Sequence, residues 1–156
     1  MEITSNLNKS QFNEVRMLYA DFFRSINFNN IYTESMINSF SYRKAKNVFE
    51  HGKLSQYFFA IEDDEIVGLI HGKIIDNVGL VSHVYVKEAY RKKRVLSKLY
   101  KSLITWFKDK NISTLEIEVN KDNRIYKNLE RNNWQMVRDL MMPVYSLESY
   151  EWINSC

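Results

Sequence analysis

The stretch Val81-Ser-His-Val-Tyr-Val-Lys-Glu-Ala-Tyr-Arg-Lys-Lys-Arg-Val-Leu-Ser-Lys-Leu-Tyr100 decides the fold. Val81, Val84 and Val86 are β-branched and Tyr85 also suits a strand. From Val95 the period changes: Val95, Leu96, Leu99, Leu103, Ile104 and Phe107 fall on one helical face. Between strand and helix lies Arg91-Lys-Lys-Arg94. A strand running into a basic helix N-terminus is suited to an anion, because the unpaired N–H groups and the helix dipole both favour negative charge. Four cations in a row are equally readable as a solvated loop.

The chain has 156 residues, enough for one domain with a full core, and a single domain over 1–156 is expected. Its net charge is only +3. Between Lys87 and Lys101, however, seven basic residues face one acid, Glu88. Positive charge is therefore concentrated locally, which favours a small anionic ligand over a broad nucleic-acid surface. The single cysteine, Cys156, allows no internal disulfide, and a reducing compartment is expected. No apolar run approaches the ~20 residues of a membrane span. With no signal pattern at the start, a cytoplasmic protein without membrane contact is expected.

In chain order, Met1–Leu7 reads as a first strand. Asn8-Lys-Ser-Gln11 is a capping-box pattern. The spacing of Phe12, Val15, Leu18, Tyr19, Phe22, Phe23 and Ile26 then predicts a helix over Lys9–Ile26. Thr33 caps a second helical pattern through Phe40. Ser41–Ser55 is polar and weakly periodic, consistent with a further short helix ending at Gly52. Tyr57–Ile61 and Ile66–Ile75 read as strands joined by the acidic turn Glu62–Glu65, and Asp76–Gly79 turns the chain into the strand Leu80–Val86. A helix over Val95–Lys110 leads to a strand over Ile112–Val119, which a crossover helix makes parallel to its predecessor. Asn123 caps a short helix to about Asn132. Trp134–Val137 and Met142–Leu147 read as closing strands. The expected architecture is α+β: a mixed, mostly antiparallel central sheet with helices on both faces.

From about Tyr57 to Leu147 the chain resembles the GNAT superfamily of N-acetyltransferases, which move an acetyl group from acetyl-CoA to an amine. Val84-Tyr-Val86 followed by Tyr90-Arg91 resembles the family's central strand and the start of its pyrophosphate loop. Val95–Phe107 resembles the helix after that loop. Glu118-Val-Asn120, Asn123 and Leu129-Glu-Arg-Asn-Asn-Trp134 resemble the family's later conserved region. The resemblance implies that backbone groups of Val84, Tyr85 and Val86 pair with the pantetheine arm. It implies that Arg91 and the amides of Lys92, Lys93, Arg94, Val95, Leu96 and Ser97 hold the pyrophosphate, and that Asn123 lines the coenzyme arm, although helix capping is its simpler role.

The loop departs from the family pattern. Aligned on Arg91, two positions where the family has glycine or a small residue hold Arg94 and Leu96. The four glycines, Gly52, Gly68, Gly72 and Gly79, all lie elsewhere. Glycine suits such a loop because the backbone must approach the phosphates closely in unusual dihedrals. Arg94 can supply a cation instead, and Leu96 is expected to turn inward as core. The family's usual general acid, a Tyr, is replaced by Leu129, with Tyr126 three residues earlier and on the same helical face.

The acceptor ammonium must lose a proton before it attacks the thioester. The family places its base, or a residue bridging to it through water, at positions matching Ser82 or His83. His83 has a suitable intrinsic pKa. His71, on the preceding strand, is a second candidate, and a strand histidine held in place by a hydrogen bond is the plainer reading for each. Period-two alternation puts Val81, His83 and Tyr85 on one face and Ser82, Val84 and Val86 on the other. His51 sits in a polar loop and is set aside.

The expected activity is acetyl-CoA-dependent N-acetyl transfer by direct attack in a ternary complex, with no metal. Catalytic roles fall to His83, Ser82 and Tyr126. A catalytically silent binding or regulatory module of the same fold is the alternative, motivated by the missing glycines and tyrosine. Nucleic-acid binding through Arg91–Lys101 ranks third, since no reading helix is evident. The acceptor is a small-molecule or peptide amine, expected near Phe28, Tyr32 and Glu34. Aromatic residues Tyr145, Tyr150 and Trp152 could form a homodimer surface.

Overall fold

The computed structural model describes residues 1–27 and 30–117, together with Lys127 and Arg131. The expectations for Phe28, Glu118–Asn120, Asn123, Tyr126, Leu129, the two closing strands and the aromatic C-terminal surface lie outside these residues.

Strand β1 (Glu2–Thr4) is followed by a short 3-10 turn (Lys9–Gln11) and helix α1 (Phe12–Ser25). The capping box forms: the Asn8 side chain accepts the Ser10 N–H at 3.0 Å, and the Asn8 N–H donates to the Gln11 side chain at 2.9 Å. Helix α2 (Glu34–Glu50) is one continuous helix, not the two pieces its polar second half suggested. Thr33 caps it by accepting the Met36 N–H at 3.2 Å. The buried Ala45 and Val48 continue the apolar stripe set by Ile37 and Phe40, which carries the helix through its polar stretch.

Strands β2 (Ser55–Glu62), β3 (Glu65–Ile75) and β4 (Val78–Val86) form an antiparallel meander. Both of its turns use left-handed residues, Asp63 with Asp64 and Asp76 with Asn77. Asp and Asn tolerate that conformation, and paired positive φ values match the twist of a two-residue hairpin. Helix α3 (Val95–Asp109) leads to β5 (Leu115–Ile117), which pairs parallel to β4. The sheet order is β1-β2-β3-β4-β5, mixed and mostly antiparallel. No helix among the described residues is long and apolar enough to cross a membrane.

The sheet has a core on each face. On one, α1 and α2 contribute Val15, Leu18, Phe22, Phe23 and Ile37 against Tyr57, Phe59 and Leu69. On the other, α3 packs on Val67, Ile70, Val81 and Val84. Val95, Leu99, Leu103 and Phe107 of α3 are each at most 1% exposed. At roughly 1.5–3 kcal/mol for each large side chain, their burial outweighs a poor helix start. That start is Arg94, left-handed at φ 60° and making no side-chain cap, a combined cost of a few kcal/mol at most. Close approach of α3 is permitted by Gly72 and Gly79: a Cβ on Gly72 would lie 2.9 Å from Phe107 Cζ, and one on Gly79 equally close to the same ring.

One irregularity decides which residues of β4 share a face. His71 pairs with His83, but Gly72 pairs with Val81, so Ser82 is an extra residue without a partner on β3. This bulge resets the alternation. Val81 therefore joins Val84 and Val86 in the α3-side core, and not His83 and Tyr85 as simple alternation implied.

Candidate active site

Two features lie along strand β4, one at its exposed edge and the other beside His83. The first is the exposed edge of β4 and the loop above it. Lys87 N–H donates to Val67 O on β3 at 2.9 Å. By period two, the backbone groups of Tyr85 also face β3, and those of Val84 and Val86 face the other edge. Among the described residues, β5 covers that edge only at Gly79–Val81. Arg91 Nε donates to Val86 O at 2.9 Å, and its guanidinium lies 5.7 Å from the Tyr85 ring centroid. Arg91 thus fastens the loop to the strand end.

Glu65 holds the loop's other side. It accepts from Lys87 Nζ, and from the Tyr90 hydroxyl at 3.1 Å. Those contacts, Lys87 first, keep the Glu65 carboxyl below its usual range. Lys93 Nζ sits 4.8 Å from the Tyr90 ring centroid. Lys92, Arg94, Lys98 and Lys101 are exposed.

Lys92 and Arg94 both have positive φ, 67° and 60°. The position at which glycine was expected thus keeps a glycine-like backbone while carrying an arginine. Helix α3 starts at Val95, and the Lys98 N–H bonds Arg94 O at 3.2 Å, so the amides of Val95, Leu96 and Ser97 are the first of the helix and have no carbonyl a turn before them within it. The first amides of a helix, left-handed residues and exposed cations at its N-terminus fit a pyrophosphate group. Leu96 is half-buried against the α3-side core, as its bulk implied.

The second feature lies on the α1/α2 face. Here a cavity of about 190 Å³ opens between the end of α2 and strands β2 and β3. Lys44, Glu50 and His51 line it from the helix side, Ser55, Tyr57 and Lys73 from the strands, with His71 and His83 facing it as well. All three histidines of the chain therefore border one space. His71 stacks on Tyr57 with centroids 3.9 Å apart and planes 5° apart. His71 and His83 are 2% and 3% exposed. Burial above all, then the charges of Lys73 and Lys44, push His71 well below the ordinary histidine pKa. Burial, then Lys44 and His71, does the same to His83. Both rings are thus neutral at neutral pH. Burial pushes the Tyr57 hydroxyl well above its ordinary pKa, so it stays protonated.

The bulged Ser82 is 5% exposed, and its hydroxyl makes no hydrogen bond among the described residues. Of the residues expected to meet the acceptor, Tyr32 is core, 4% exposed among Phe23 and Phe40. Glu34 is a surface residue paired with Arg24 at 3.1 Å. The cavity at the opposite end of α2 was not foreseen. No sequence signal marks it: the hairpin register alone would set His71 opposite Ser82, and the bulge sets it opposite His83. Among the described residues no cluster of His, Cys, Asp and Glu could hold a metal ion.

A family model described as Acetyltransferase (GNAT) family matches residues 14–129. No curated protein matches the sequence. Among solved structures, the PaiA N-acetyltransferase of Thermoplasma acidophilum in complex with coenzyme A is similar, with 20% identity and a TM-score of 0.72 over 90% of this chain and 92% of that one. The aminoglycoside N-acetyltransferase AAC(6')-Iy, bound to a CoA-containing bisubstrate analogue, shares 13% identity at a TM-score of 0.64, covering 91% and 95% of the two chains. A ribosomal-protein-alanine N-acetyltransferase from Brucella melitensis biovar Abortus shares 15% identity at 0.69, covering 92% and 99%. At these identities the likeness is one of fold.

Proposed function

The chain belongs to the acetyltransferase (GNAT) family, and on that premise we propose that it transfers the acetyl group of acetyl-CoA directly to a primary amine. The observation that carries this reading is the loop from Lys92 to Ser97. Its later amides open helix α3, where the first N–H groups lack partners within the helix, and Arg94 adopts the left-handed conformation that a glycine would otherwise supply. A loop that had merely lost its phosphate site would have no reason to keep so costly a backbone at an arginine.

In this reading Arg91 orients the loop, and the amides with Arg94 hold the pyrophosphate. The pantetheine arm lies along the Val84–Val86 edge, with Tyr85 between, which brings the thioester beside Ser82. The acceptor amine enters by the cavity on the other face and meets His83, which removes its proton. The amine then attacks the thioester carbon, and much of the rate comes from holding the two together. CoA-bound and amine-modifying acetyltransferases among the similar structures support this reading. The acceptor is an amine narrow enough for a space of about 190 Å³, carried by a small molecule or a peptide end.

The test is release of free thiol from acetyl-CoA in the presence of a primary-amine panel, with the product checked for one added acetyl group. Thiol release that requires an amine supports the proposal. Acetyl-CoA binding without acetylation of any amine would favour a silent binding module instead.

A further inference from the structure

We infer that His83, His71 and Ser55 form a side-chain relay that carries the acceptor's proton from the β4 bulge to the water of the cavity. The inference rests on the transferase reading above and extends it to residues on two other strands. His83 Nδ1 lies 3.3 Å from His71 Nδ1, and His71 Nε2 lies 2.7 Å from Ser55 Oγ. Ser55 is the first residue of β2 and only half-buried, so the row ends where solvent enters.

Two neutral imidazoles whose Nδ1 atoms face each other cannot both carry hydrogen there. One donates and the other accepts. Their tautomers are therefore locked together. With hydrogen on His83 Nδ1, its Nε2 is a free base, His71 accepts at Nδ1, and His71 Nε2 donates to Ser55. Reversing the set puts hydrogen on His83 Nε2. Passing between the two sets moves one proton along the whole row.

The reaction requires such a path. An ammonium acceptor and a thioester yield an amide, a thiol and one proton. The first proton leaves the ammonium, the nitrogen pair then bonds the carbonyl carbon, and the C–S bond breaks. The second amine proton ends on sulfur. The first proton goes to His83 Nε2, the Nδ1 hydrogen passes to His71 Nδ1, and the His71 Nε2 hydrogen passes to Ser55, whose own proton enters the cavity. Both rings line that cavity, so the tautomers reset against its water.

The surroundings oppose storing the charge instead. His83 is wedged against Tyr19 and Phe22, with ring centroids 5.7 and 5.5 Å away. Lys44 and His51 face the pair from α2 and the chain just beyond it, Lys73 from β3, and Tyr57 from β2. The Tyr19 hydroxyl of α1 approaches His83 Nδ1 at 3.4 Å. Except for Glu50 at the rim, no acid lines the cavity among the described residues to stabilise an imidazolium. A proton accepted by His83 is therefore passed on.

The experiment is long-range proton–nitrogen NMR of the full chain labelled at its three histidines, assigned with His71→Gln. His71 and His83 are expected in opposite tautomers, one bearing Nδ1–H and the other Nε2–H. Finding both rings as Nε2–H would overturn the relay whatever the activity. The second arm measures thiol release from acetyl-CoA with benzylamine, and with water alone, as probe acceptors. Ser55→Ala and His71→Gln are expected to lower the maximal rate about tenfold or more at unchanged KM for acetyl-CoA. They are also expected to reduce a multi-proton solvent isotope effect to a single-proton one. An unchanged pH profile and isotope effect in both variants would refute the relay. Ser55→Ala, at a half-buried strand end, keeps the test open should His71→Gln misfold. Failure of the wild type to bind acetyl-CoA would remove the transferase reading while leaving the tautomer result standing, so the two failures are distinguishable.

Discussion

The Nδ1 atoms of His71 and His83 lie 3.3 Å apart, directly across β3 and β4 in the register of the sheet. Burial holds both rings well below the ordinary histidine range. An unfolded chain protonates these residues near pH 6.5. As the pH falls below that value the unfolded state binds protons that the folded state refuses. The stability is complete above about pH 6.5 and is lost below it, at about 1.4 kcal/mol per pH unit for each histidine, until the folded pKa is reached. Urea unfolding across mildly acid pH should show this slope. The window lies above that of Glu62 and Glu65, whose carboxyls are lowered by their partners. Replacing both histidines with Gln should flatten the curve there.

Helix α3 depends on the absence of side chains beneath it. A Cβ at Gly72 would stand 2.5 Å from Leu103 Cδ1 and 2.9 Å from Phe107 Cζ. Both partners are fully buried and have no room to yield. Gly72→Ala is expected to destabilise the fold by about 1–3 kcal/mol, the usual cost of overpacking. Gly52→Ala, where nothing lies within 4 Å, is the control and should change little in the same thermal melt.

Arg94 combines a strained backbone with an exposed cation, and two substitutions separate them. Arg94→Gly removes the left-handed penalty, which should raise stability by up to about 1 kcal/mol. Arg94→Ala keeps that penalty. Both remove the cation, so both should weaken acetyl-CoA binding. If Gly binds better than Ala, loop geometry matters as well as charge. Thermal melts with and without acetyl-CoA read both effects.

Much of the fold was legible because its signals are local. Asn8 with Gln11, and the Asp and Asn residues of the two hairpin turns, mark their own conformations, and α3 announces its buried face by spacing. Helix α2 was read as two pieces because Ser41, Arg43 and Lys46 obscure a stripe that only packing reveals. The bulge at Ser82 leaves no mark in residue type, so simple alternation puts Val81 on the wrong face of β4 while placing His83 with Tyr85 and Val84 with Val86 correctly. The loop residues Arg91 to Ser97 could be picked out by their charge and place. His83 and His71 stand out as candidates by residue type, but their row with Ser55 does not, since it is set by the bulged register of β3 and β4 and by the start of β2.

The measurement that bears most directly on the transferase reading is calorimetric titration of the protein with acetyl-CoA, alongside Arg91→Ala. Arg91 Nε ties the loop to Val86 O. Saturable binding that Arg91→Ala weakens is the expected result, and it would support a pyrophosphate held by the loop. No heat and no thermal shift at millimolar acetyl-CoA would contradict it, leaving an acetyltransferase fold that serves some other purpose.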